Sequence, residues 1–136
     1  MLPPFAVTPL YAALCGLLLL VLSLRVVLLR RRRRVKFGDG GHDDLQRAVR
    51  AQGNFTEYAP LLLFMLFLLE LSRQPVWALH LLGVMILLGR VIHAITLSRH
   101  PATFRTPGMA LTFVSLLVLS LWLLVVVAQR LLQMPA

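Results

Sequence analysis

Arg50, Asn54 and Glu57 stand at i, i+4 and i+7 in the segment RAQGNFTEY. At 3.6 residues per turn the three share one helix face, which Asp43 and Arg47 extend and Tyr58 flanks. A cation, an amide and a carboxylate stacked this way can form a self-satisfied polar network between helices, or they can hold a polar ligand that completes the pairing. Further along the chain, Arg90 and His93 are i and i+3 neighbours, with Gly89 beside them to allow close backbone approach. Arg105 precedes a Pro107-Gly108 break. Several arginines with a glutamate, a tyrosine and a histidine suit a small ligand with more carboxylates than amines, since guanidinium pairs bidentately with carboxylate and glutamate with ammonium. No metal is expected among them.

The elements that must carry these residues are membrane helices. The 136 residues are 59% hydrophobic and only 14% charged, outside the range of an ordinary soluble domain. One domain over 1–136 is expected, all-α, a bundle of four transmembrane helices at about 5–29, 45–70, 75–97 and 106–129 with a basic loop over 30–44. The first span has no charge through Leu24 and lacks a basic n-region and cleavage pattern, so it is expected to be retained. The second reaches spanning length only if Arg50, Asn54 and Glu57 are carried into or beside the bilayer, where function is the usual reason for ionisable groups. His80, with no charged sequence neighbour, reads as structural, and Cys15 in its apolar run reads as a small hydrophobe.

The net charge of +9 is concentrated in the cluster Arg30 to Arg34 with Lys36, which points to an anionic lipid surface rather than to nucleic acid. Counting basic residues in the short loops puts the first and third loops in the cytoplasm and both termini outside. Gly38-Asp39-Gly40-Gly41 reads as a turn, with glycines tolerating positive φ and the aspartate bonding its own backbone. Asp43 with Gln46 has the spacing of an N-cap and its N3 partner, and Asp44 adds charge favoured by the helix dipole.

Arg50-Ala-Gln-Gly-Asn54-Phe-Thr-Glu57-Tyr58-Ala-Pro60-Leu resembles the signature of the MAPEG family, membrane-associated proteins in eicosanoid and glutathione metabolism. Val35 to Gly41 resembles the family's bacterial branch, and Gly89-Arg90-Val-Ile-His93-Ala its third-helix motif. The resemblance implies a homotrimer in the bacterial inner membrane, with glutathione bound between subunits at the cytoplasmic end. It places Arg50, Asn54, Glu57, Tyr58, Arg90 and His93 in the glutathione site, Arg30 at a first-helix arginine of that site, and Arg105 as the catalytic, thiolate-stabilising arginine. Leu97 stands where several eicosanoid-synthesising members have tyrosine, a departure from the eicosanoid-type pattern.

The implied activity is that of a glutathione-dependent transferase or peroxidase acting on lipophilic small molecules. Two other classes remain open from sequence. One is a non-catalytic lipid-binding or scaffold protein of the same fold, which would be expected to lose the polar site residues. The other is a small proton-coupled transporter, against which spans one and four carry no acidic residue.

Overall fold

A computed structural model describes residues 6–99 and 106–133. Four helices follow one another: α1 (Val7–Arg33), α2 (Asp43–Leu71), α3 (Val76–Arg99) and α4 (Thr106–Leu132). All four are long and apolar enough to cross a bilayer. They alternate in direction, since the start of α1 meets the end of α2 at Glu70 while the end of α1 meets the start of α2 at Asp44. The helices α2 and α3 form the centre, with α1 and α4 packed against both of them.

The outer surface is apolar around the bundle, with Leu17 and Leu124 each more than half exposed. Bilayer is the solvent that accepts such a surface, and the chain is a multi-pass membrane protein of the expected all-α, four-helix class. Inside, one apolar cluster around Leu62, Leu66, Leu79 and Leu119 fills the end near the α2–α3 turn. A second cluster holds the buried Cys15 among Ala51, Phe55 and Ala94, in keeping with its reading as a small hydrophobe.

The first helix runs further than expected, through Arg33 rather than ending at 29. Arginine is a good helix former, and four cations in the last turn sit where the helix dipole favours them. It closes in a Schellman turn in which the Arg34 N–H donates to the Arg31 carbonyl and the Val35 N–H to the Arg30 carbonyl. The second helix closes the same way, through Arg73 and Gln74 on the carbonyls of Glu70 and Leu69. Both turns need the left-handed region, and both put arginine there, Arg34 at φ 55° and Arg73 at φ 56°.

Between α1 and α2 the glycine turn forms as expected. Gly38, Gly40 and Gly41 all have positive φ, and the Gly41 N–H donates to Asp39 Oδ1 at 3.0 Å. The cap of α2 differs by one residue from the expected Asp43–Gln46 pair. His42 occupies the N-cap, its carbonyl accepts from the Gln46 N–H, and Asp43 already lies in the helix. Asp44 is drawn instead into an ion pair with Arg33 at 2.9 Å, and both acidic residues keep the favourable first-turn placement.

At the opposite end, α1 starts without a side-chain cap of its own. The buried Glu70 carboxylate supplies one from the end of α2, accepting from the Val7 and Thr8 N–H groups at 2.8 Å each. Nearby, the Tyr11 hydroxyl lies 3.1 Å from both His80 Nδ1 and the His80 carbonyl oxygen, which gives His80 the structural role expected of it. Tyr11 packs into space left by Gly83, where an added Cβ would fall 2.2 Å from the ring.

Candidate functional site

The polar residues of α2, α3 and α4 converge on Arg90. Fourteen residues into α3, it is 1% exposed, as a charge at bilayer depth must be when it faces the bundle interior. Its Nη1 donates to the Asn54 side chain at 2.8 Å and to the Asn54 carbonyl at 3.2 Å. Its Nη2 donates to the Thr112 hydroxyl of α4, which in turn donates to the Gly108 carbonyl at 2.8 Å. The guanidinium carbon also sits 5.5 Å from the centre of the Tyr58 ring, within range of a cation–π attraction. Tyr58 meets Phe113 edge to face at 6.0 Å, so the aromatic pair seals the same corner from the α4 side.

Small residues make this convergence possible. Gly108 lies so close to α3 that a Cβ there would fall 2.6 Å from the His93 nitrogen and 2.8 Å from its Cα. A Cβ at Gly89 would fall 3.3 Å from the Thr112 hydroxyl, which bears out the close approach expected beside Arg90. His93 is buried in this α3–α4 contact.

The other members of the α2 stripe point outward. Arg50 and Glu57 are exposed on the surface of the chain, one turn to either side of Asn54, and among the described residues neither forms an ion pair or a side-chain hydrogen bond. With about 1.5 Å of rise per residue, the seven-residue separation sets the two opposite charges roughly 10 Å apart along the helix. Asn54 and Tyr58, each half-buried, join this outer pair to the Arg90 network.

Two candidate residues stand elsewhere. Arg30 turns to the α1–α2 loop, donating from Nη1 to the Gly38 carbonyl at 2.8 Å and the Lys36 carbonyl at 3.5 Å. Arg105 lies outside the described residues.

Sequence reasoning missed Thr112, the α4 acceptor for Arg90. Its signal is a stripe of small residues, Gly108, Thr112 and Ser115, on one face of an otherwise apolar span. It also missed the bond from Gln52 Nε2 to Ser23 Oγ at 2.9 Å, which ties α2 to α1.

A buried cation held by amide, hydroxyl and ring, beside an exposed cation and carboxylate on a membrane helix, forms a polar site at the edge of the bundle. Comparison with known proteins gives it a context. The profile of the MAPEG family matches residues 8–125. Inner membrane protein YecN of Escherichia coli strain K12 is 37% identical over 115 residues, which cover 85% of this chain and 88% of YecN. YecN of Escherichia coli O6:H1 strain CFT073 matches to the same extent. With the four spans and the α2 and α3 motifs on the same frame, the chain belongs to the MAPEG family.

Proposed function

We propose that this protein is a glutathione-dependent transferase or peroxidase of the bacterial inner membrane. Glutathione binds on the outward face of α2, completed by a neighbouring copy in a homotrimer, with the basic loops cytoplasmic and both termini on the far side. The observation that carries this reading is the exposure of Arg50 and Glu57 on a helix long and apolar enough to cross a bilayer, with no ion pair or side-chain hydrogen bond to either among the described residues. Such charges call for a partner, and glutathione offers two carboxylates for guanidinium groups and one ammonium for a carboxylate.

In the reaction, a guanidinium beside the thiol favours the thiolate, which is the nucleophilic form. Arg105 is assigned that role. The sulfur then attacks an electrophilic carbon of a lipophilic compound and displaces its leaving group with the bonding electrons. With a lipid hydroperoxide, two glutathione molecules are oxidised to the disulfide while the peroxide is reduced to alcohol and water.

The test is thermal unfolding of the purified protein across a glutathione titration. A ligand that binds only the native state adds about 2.7 kcal/mol at a hundred times its Kd. A saturable rise is expected, shifted at least tenfold to higher concentration in Arg50→Ala and in Glu57→Gln, about 1.4 kcal/mol of binding. No rise at several millimolar glutathione would overturn the proposal. Arg105→Ala should reduce turnover more than affinity.

One observation favours a second reading, a binding protein of the same fold without turnover. Arg90 is bonded through Nη1 to Asn54 and through Nη2 to Thr112, a structural tie between three helices. Glutathione-dependent stabilisation with no conversion of a panel of electrophiles and hydroperoxides would select it.

A further inference from the structure

The arginine run at the end of α1 divides by what each member does. Arg30 staples the loop through the Gly38 and Lys36 carbonyls, and Arg33 is paired with Asp44. Arg31, Arg34 and Lys36 meet no carboxylate among the described residues, and these three line a groove of about 410 Å³ together with Val27 and Val35. The Arg30 staple holds the loop against α1, so the groove exists before anything enters it. Its lining therefore offers both cationic and apolar groups.

Its position selects the occupant. The groove lies where a membrane helix ends, and the helix surface next to it towards the bilayer is apolar, with Leu24 and Leu28 both exposed. Phe37 in the adjoining loop is 89% exposed, an aromatic ring suited to the headgroup boundary. A soluble anion would use the cations and leave the apolar groups unmet. An acidic lipid uses both, since its phosphate and acyl chain are joined across the same boundary.

We propose that this groove binds one anionic phospholipid of the adjoining leaflet, with the headgroup phosphate held by Arg31, Arg34 and Lys36 and an acyl chain along Leu24 and Leu28. The site is separate from the α2 face and does not depend on glutathione binding.

The two left-handed arginines supply a matched pair of variants. Arg34→Gly and Arg73→Gly each replace arginine by the residue that accepts this backbone at no steric cost, so each should raise the melting temperature of the lipid-free protein. Only Arg34 lines the groove. Phosphatidylglycerol, phosphatidylcholine and inorganic phosphate are titrated into the detergent-purified protein, read by melting temperature and by native mass spectrometry. Phosphatidylglycerol should give a saturable rise and one retained lipid per protomer, and the other two additives neither. The affinity should fall at least tenfold in Arg34→Gly and in the double variant Arg31→Gln with Lys36→Gln, and stay at the parent value in Arg73→Gly. Parent-like affinity in both groove variants would overturn the proposal. So would an equal rise with phosphatidylcholine, or with inorganic phosphate, which would make the groove a simple anion site.

Discussion

Arg90 is a buried cation whose partners are neutral, an asparagine, a threonine and a tyrosine ring. Removing one acceptor leaves a buried charged donor unsatisfied, which costs about 1–3 kcal/mol. Thr112→Val keeps the volume and deletes the acceptor, so it should lower stability by that amount in thermal unfolding, while Thr112→Ser should stay close to the parent. Arg90→Lys should resemble the valine variant, because one ammonium cannot span the fork that reaches both α2 and α4. Arg90 and Asn54 were both legible in the sequence, since ionisable and amide groups inside an apolar span stand out. That they bond each other was not legible, because the pairing joins residues 36 apart on different helices. Threonine in an apolar helix carries little signal of its own, and only the bundle shows Thr112 under the guanidinium.

Elements in this protein meet where side chains are missing or borrowed. Gly108→Ala would drive a Cβ into the His93 backbone, which cannot swing aside as a side chain can, so α3 and α4 must part. A cost of about 1–3 kcal/mol is expected, typical of overpacking. Gly16 has nothing within 4 Å of such a Cβ, and Gly16→Ala should instead raise stability by about 0.5–1 kcal/mol through helix propensity. The same melting experiment reads both signs. The borrowed element is the cap on α1: Glu70→Ala should cost about 0.5–2 kcal/mol and speed hydrogen exchange at the Val7 and Thr8 amides. Turn chemistry was legible at Gly38–Gly41 because positive φ is a property of single residues. The α2 cap was misplaced by one residue: the helix begins at Asp43, so His42 takes the cap position and the Gln46 N–H bonds the His42 carbonyl. Glu70, in sequence only the last charge of an apolar span, gives no hint that it serves α1.

As a whole, the molecule shows an apolar exterior and a polar seam; the first and fourth spans could be read directly from charge-free runs of the required length, and the second and third only by admitting ionisable residues such as Glu57 and Arg90 into them. What sequence left open was which face of each helix turns inward, since the moments of α1 and α3 are weak when both lipid and core are apolar. The outward charges of Arg50 and Glu57 belong at this scale. If a neighbouring copy completes their site, the native mass of the detergent-solubilised protein should correspond to three chains, and a monomeric mass with glutathione still bound would remove the neighbour from the site. The Glu70 cap also bears on how the protein is made. Val7 and Thr8 leave the ribosome 62 residues or more ahead of the carboxylate that closes them, an interval on the order of seconds at roughly 5–20 residues per second. During that time α1 lies in or beside the bilayer with its first amides open. Seating of the first helix is thus completed by the arrival of the second, so the earliest stage at which the start of α1 is capped is a two-helix hairpin.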